Sequence, residues 1–477
     1  MSSNIRFIYL IEPISHLIPH VQKPKIPIKP NEKLVWTGMV LFIYLIYSQI
    51  PLYGIYKTQD ADPLHYMRII LASSKGTLAE LGITPIITAS LIFGLLRSIR
   101  VIAVDPNVKQ DRFLFEQTTK FVAIIMTIGQ AFAYVRGGMY GPVNLIGFFN
   151  SILLIVQLVI GGIIIIILDE ILSKEYGLIS GISLFVATNI SENLMWKCFS
   201  PFTVASERGI EYEGSIIAFF HFLITKKNKL EALRLAFFRR SSPNILQLLS
   251  TLAITLLIIY LWRFKTSVKI TSKNAPGATH NLPIKLFYSS TTPIIVINMV
   301  ISHLYVISQI LYRRYGSSFI IKLLGTWAEK NGEQVATGGI VYFVTPPKDF
   351  FEFITHPLKS ITYIIFILYF SGWFTQTMVE LTGKGPLDLA KALKNQGFFL
   401  EGIRENEKSI YERLEKLIPT VSFLSGMVIA ALQILADLIG ATGSGTGILL
   451  LVSTILQVQE NTEEKSFKGN VNVLLEE

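Results

Sequence analysis

Few residues in this 477-residue sequence are of a type and spacing that could do chemistry, and those few lack partners. The string GSGTG at 443–447 has the glycine content of a phosphate-binding nest, in which successive backbone N–H groups cradle anionic oxygens. It opens an apolar run with no lysine after it, so small residues that let helices approach closely explain it better. Ser183 and Thr188 have no histidine or acid at a spacing that makes a nucleophile–base pair. Cysteine occurs once, as Cys198, which rules out an intramolecular disulfide, and no Cys/His cluster offers a zinc set. The residues therefore imply no catalytic group, no metal and no cofactor.

The elements that would position any site are membrane spans. The chain is 51% hydrophobic and 16% charged, with a mean hydropathy of +0.49; a soluble globular chain carries about 25% charged residues. A span needs about 20 mostly apolar residues to cross the hydrocarbon. Ten such stretches are expected, near 34–53, 76–96, 117–135, 145–168, 178–198, 245–262, 286–311, 360–382, 417–437 and 440–458. Those at 145–168 and 245–262 hold no charge at all, whereas 76–96 carries Pro85 and 178–198 carries Glu192 and Lys197.

Charge orients the spans. Lys23, Lys25, Lys29 and Lys33 precede the first, Arg97, Arg100, Lys109 and Arg112 follow the second, and Arg263, Lys265, Lys269 and Lys273 follow the sixth. Seven lysines and arginines between Lys384 and Lys416 follow the eighth. Positive residues favour the cytosolic side, which places the N-terminus there. The connections 199–244 and 312–358 are also basic yet fall on the opposite side. A formal charge of +10 further allows contact with anionic headgroups or a polyanionic partner.

The expected organisation is a cytosolic amphipathic segment at 1–33, a first half of five spans at 34–200, and a lumenal connection at 201–244. A second half of five spans follows at 245–459, with cytosolic loops at 263–285 and 383–416, and then a cytosolic tail at 460–477. An odd number of spans per half means the halves enter from opposite sides, the arithmetic of an inverted repeat, although no sequence self-similarity between them is visible. Charges within the spans sit at their ends: Glu80, Lys120, Asp169, Glu170, Glu192, Glu380 and Asp437. Only His303 is titratable and well inside a long span. A small-solute transporter built from inverted repeats would need ionisable groups near the midplane, so that alternative is disfavoured. A membrane-embedded transferase or protease lacks its nucleophile.

Six strings, in order along the chain, resemble the SecY family and specifically its eukaryotic branch, the α-subunit of the endoplasmic reticulum translocon. They are ADPLHYMRIILASSKGTLAELGI (61–83), YGLISGISLFVATNI (176–190), LPIKLFY (282–288), SHLYVISQ (302–309), LLGTW (323–327) and ADLIGATGSGTGILL (436–450). The resemblance covers roughly residues 1–460. It implies an all-α membrane protein of ten transmembrane helices in two pseudo-symmetric five-helix halves around a pore that opens sideways to lipid. The implied function is to pass nascent signal-bearing polypeptides across the endoplasmic reticulum membrane and to release transmembrane segments into its lipid. The implied partners are small β and γ translocon subunits and the ribosome.

The same resemblance carries a ring of pore-closing aliphatics onto Ile83, Ile87, Ile182, Val186, Ile295 and Leu450, and makes 61–75 a plug seated beneath them. Stiff aliphatic side chains suit such a ring because they dewet a constriction and offer a passing chain no polar group to catch on. A polar cluster at the lateral gate falls on Thr88, Gln130 and His303, the last where the family usually has asparagine. An imidazole there still hydrogen-bonds Gln130 but can also charge near its ordinary pKa of about 6.5. Ribosome contact falls on Arg404, Lys269 and Lys273. The loop NAPGATHN (274–281) lacks the family's arginines, and Glu401 and Glu405 flank Arg404. Weaker, more salt-sensitive ribosome binding is expected from that departure.

Overall fold

The computed structural model describes residues 12–15, 18–26, 28–56, 68–98, 101–102, 108–141, 143–206, 209–239, 242–272, 275–288, 292–316, 318–330, 333–347, 350–382, 384–395, 397–400, 407–441 and 445–476. Among them are ten helices of 15 residues or more. In the first half these are α1 (Pro30–Gln49), α2 (Thr84–Ser98), α3 (Lys109–Arg136), α4 (Phe148–Ile171) and α5 (Gly181–Phe199). The second half has α6 (Ile245–Trp262), α7 (Thr292–Tyr315), α8 (Pro357–Leu381), α9 (Glu407–Leu438) and α10 (Gly445–Glu476). Seven of the stretches are long and apolar enough to cross a membrane by length and composition; α1, α5 and α10 fall short of that threshold.

Local chemistry accounts for where these helices begin. Pro30 and Pro357 stand at the first turns of α1 and α8, where a missing N–H costs nothing. Pro85 is the second residue of α2, so the proline that weakened the expected span is harmless there. Asn244 and Gln247 form a reciprocal capping box at the start of α6. Glu192 in α5 accepts a hydrogen bond from Gln49 of α1 at 2.5 Å, which gives that in-span carboxylate a partner.

The largest apolar core cluster draws on every long helix except α6 and joins the two halves. α6 packs into a second cluster with α9 and α10 around Ile258, Ile429 and Ile448. Helix contact in lipid needs small residues and interhelical hydrogen bonds. The Ser371 hydroxyl of α8 donates to the Gly426 carbonyl of α9 at 2.8 Å, and a Cβ on Gly426 would strike α8.

Among the described residues, three small antiparallel sheets lie in the connections, outside the long helices. β1 (Thr203–Ser206) pairs with β2 (Gly209–Tyr212), and β5 (Thr326–Lys330) pairs with β6 (Glu333–Gly338). β3 (Lys265–Ser272) pairs with β4 (Ala275–Lys285) in register Val268 to Leu282, and on its other edge with β7 (Phe398–Leu400). The strand order β4-β3-β7 thus ties the connection after α6 to the one after α8. Beneath this sheet, Ile270 packs with Leu393 of the helix Pro386–Asn395 and with Ile410 and Leu414 of α9.

Candidate functional site

The chain enters the centre of the molecule twice: once as helices, and once as irregular backbone between α1 and α2. Irregular backbone at membrane depth must have its polar groups satisfied by protein, because lipid offers none. Here several carbonyls find donors from outside the segment. Asn189 of α5 donates to the Ile69 carbonyl at 3.1 Å and the Ile83 N–H to Leu71 at 3.1 Å. Tyr44 of α1 donates to Ala72 at 3.1 Å, and Tyr47 to Leu78 at 2.6 Å. Ala72 is held at φ +51°, a left-handed conformation that a non-glycine residue seldom adopts.

A buried ion pair completes this seat. The Arg68 guanidinium lies 2.6 Å from the Glu80 carboxylate, with both side chains almost fully enclosed. Ser73 accepts from Arg68 at 3.2 Å and donates to the Glu80 carbonyl at 2.6 Å, and the second Glu80 oxygen accepts the Gly76 N–H. The turn into α2 passes through Gly82 at φ +56°, where a Cβ would collide with the Leu71 carbonyl. Only glycine permits that approach.

Directly against the seat lies the apolar centre. Ile83, Ile87, Val186, Ile295 and Leu450 are buried members of the same core cluster, with Ile182 partly buried and packed against it. They come from α2 and the residue just before it, from α5, from α7 and from α10. Ile69, Ile70, Leu71 and Ala72 of the seated segment belong to the same cluster. All six candidate ring residues therefore belong to one apolar cluster, to which both halves contribute. Keeping water from such a surface is worth about 1.5–3 kcal/mol per large aliphatic side chain.

The candidate gate residues come from three helices, Thr88 from α2, Gln130 from α3 and His303 from α7. Gln130 Nε2 of α3 stands 3.1 Å from His303 Nε2. With the amide nitrogen facing the ring, the imidazole nitrogen is the acceptor, which an imidazolium cannot be; a flipped amide would accept from either form. Thr88 does not join that pair. Its hydroxyl lies 2.7 Å from the Thr84 carbonyl and 3.3 Å from the Met299 sulfur, one helical turn from His303. The seam thus has two polar contact points. Lys269 is exposed on β3, opposite Asn281 of β4. Lys273 and Arg404 lie outside the described residues, as does the 61–67 part of the expected plug.

Sequence reasoning missed two things. The first is the Arg68–Glu80 pair, since Glu80 was legible only as a charge at a span end. The second is a device present in both halves. Asp169, near the end of α4, accepts the Ile182 N–H of α5 at 3.0 Å. Asp437, near the end of α9, accepts the Gly445 N–H of α10 at 2.6 Å. Each carboxylate satisfies an orphan donor at the N-terminus of the next helix. Close approach requires glycine at both places, because a Cβ on Gly181 would strike Asp169 and one on Gly445 would meet Asp437. An acid followed by a glycine-rich start to the fifth span of each half was the available signal.

Two lobes of long helices, with an irregular segment of the chain's own backbone plugging an apolar centre shared between them, define a membrane channel scaffold closed from within. The chain belongs to the SecY family, which its residues 77–459 match, while residues 42–76 match the plug domain of Sec61p. It is 45% identical over 464 residues to the protein transport protein Sec61 subunit alpha of Pyrenomonas salina, covering 96% of this chain and 94% of that one. The Sec61 subunit alpha of Neurospora crassa is 44% identical over 455 residues, covering 95% of each. Among solved structures, a protein-conducting channel superposes with a TM-score of 0.77 at 30% identity, over 96% of this chain and 97% of that one. Sec61 from the canine ribosome–channel complex of the endoplasmic reticulum gives 0.73 at 29% identity, again over 96% and 97%.

Proposed function

We propose that this chain is the pore-forming subunit of a protein-conducting channel that passes nascent polypeptides across the endoplasmic reticulum membrane and releases transmembrane segments sideways into lipid. The observation that carries this reading is the apolar centre built by both halves and filled by the seated segment 68–76. In the resting state Ile83, Ile87, Ile182, Val186, Ile295 and Leu450 form the constriction, and the plug lies beneath it. An arriving chain displaces the plug, and the aliphatic ring closes around it as a gasket without binding it.

The reading assigns no chemical step to the protein, so the work comes from translation or from an ATPase on the far side. The seam between α2 and α3 on one side and α7 on the other is the lateral gate, with Thr88, Gln130 and His303 along it. Ribosomes dock on the cytosolic sheet through Lys269, Lys273 and Arg404, and β and γ subunits complete the complex. The solute-transporter alternative is not favoured: Lys120 pairs with Glu170 at 2.7 Å, and Asp169 and Asp437 cap helices. The test is reconstitution of the chain with its β and γ partners in proteoliposomes, followed by presentation of ribosome-bound secretory precursors. Protease-protected, signal-dependent precursor is the expected result; protection equal to that of protein-free liposomes overturns the reading.

A further inference from the structure

The connection between α5 and α6 encloses a cavity of about 860 Å³, bounded by β2 and by the helices Ser215–Thr225 and Lys229–Phe237. Arg239 braces this unit. Its guanidinium lies 3.3 Å from Glu211, donates to the carbonyls of Tyr212 at 2.5 Å and Pro243 at 3.2 Å, and stacks 6.0 Å from the Phe222 ring centre. Glu211 is thereby neutralised. The other charged groups on the cavity wall are Lys226, Arg234 and Glu231. None of these three makes a salt bridge to another described residue.

The surroundings are those of a membrane surface. Helix Ser215–Thr225, SIIAFFHFLIT, has no charged residue, is too short to span, and buries only Ser215, Ala218 and Phe222. It starts against the end of α5, where the Gly214 N–H donates to the Ser200 carbonyl at 3.2 Å. Apolar residues on the cavity wall are largely exposed, Ile210 at 75% and Phe238 at 62%, as is Ile224 beside Thr225 of the wall at 81%. Residues 226–240 hold six lysines and arginines on the side of the membrane where positive charge is disfavoured.

We infer that this cavity binds the headgroup of a zwitterionic phospholipid from the leaflet opposite the cytosol. Lys226 and Arg234 take the phosphodiester through charge-assisted bonds. Glu231 and the aromatic wall at Phe222 and Phe238 take the ammonium end. The acyl chains leave over Ile210 and Ile224. A bound lipid there pins the connection that joins the two halves, and it gives the misplaced basic residues a purpose. The inference rests on the topology proposed above.

The complex with its β and γ subunits, in phosphatidylcholine nanodiscs containing a diazirine-bearing phosphatidylcholine, provides the test. Labelling is expected on peptides within 210–238, and the Lys226→Glu/Arg234→Glu pair should lower it roughly ten-fold, the loss of about one charge-assisted bond. Lys226→Gln/Arg234→Gln guards against misfolding and should lower labelling with the melting temperature unchanged. Labelling elsewhere only, labelling of both double variants equal to that of wild type, or full competition by soluble glycerophosphocholine overturns the lipid site. A Lys227→Cys variant in sealed microsomes reports topology separately. Modification by an impermeant maleimide from the cytosolic face, with lipid labelling intact, would sink the orientation while leaving the site.

Discussion

Two adjoining regions of the core keep water out of the middle of the molecule by opposite means. The seat of segment 68–76 is polar and specific: a buried ion pair, a serine relay, and the Ala72 and Ile69 carbonyls matched to donors on α1 and α5. The candidate ring against it is apolar, with six aliphatic side chains drawn from α2 and the residue before it, α5, α7 and α10. Hydrogen bonds fix one geometry, because a buried donor or acceptor that slips out of place loses its partner. Dispersion and water exclusion are non-directional and reform around whatever shape is present. On the proposed function, the seat therefore defines where the plug returns, and the ring tolerates any cargo.

Arg68→Ala is the hardest way to break that contrast. It leaves Glu80 charged and buried, a loss of about 3–5 kcal/mol, while removing Glu80 as well should restore much of it. Thermal unfolding of the complex together with ion conductance across a bilayer checks this, and a single variant as mild as the double would put the ion pair outside the seat's energetics. At the ring, Ile87→Asn places an amide in a dry constriction at a cost of about 1–3 kcal/mol. The sealed state should then leak ions roughly ten-fold more often, with precursor translocation retained. Unchanged conductance would mean that Ile87 does not line the throat.

The two capping aspartates give a smaller effect and a direct test of the pseudo-symmetry. Asp169→Ala and Asp437→Ala should each destabilise by about 0.5–2 kcal/mol, and by similar amounts. A cost confined to one half would show that only one carboxylate acts as a cap. Smallest of all is the seam. Gln130→Ala removes a single hydrogen bond, about 0.5–1.5 kcal/mol, and should raise insertion of a marginally hydrophobic signal segment a few-fold, while His303→Asn, which keeps a partner for Gln130, should sit near wild type. Equal insertion by Gln130→Ala and wild type would remove the Gln130–His303 contact from gating.

Much of this was legible in the chain before folding. Length and composition declared the spans, and α6 coincides with its expected bounds at 245–262. α9 starts earlier than expected because 407–416 is polar yet helical, with Ile410 and Leu414 on one face against the β4-β3-β7 sheet. α10 likewise continues to Glu476, through what reads as a tail. The sheets were not anticipated, although KTSVKITS in β3 alternates its side chains, and β7 is only three residues long, too short to show a period. The polar contacts of the seat were beyond reach. Asn189 and Ile69 are 120 residues apart, and no local pattern couples an amide in one helix to a carbonyl in an irregular segment.

The central claim is that a polypeptide threads the aliphatic constriction. A photoreactive amino acid placed at Ile87 or Leu450, in complexes engaged by a ribosome stalled on a secretory precursor, tests it most directly. The account predicts crosslinks from both positions to residues of the nascent chain midway between signal and ribosome, lost when the signal is deleted. Crosslinks only to neighbouring helices, or unaltered by signal deletion, would contradict it.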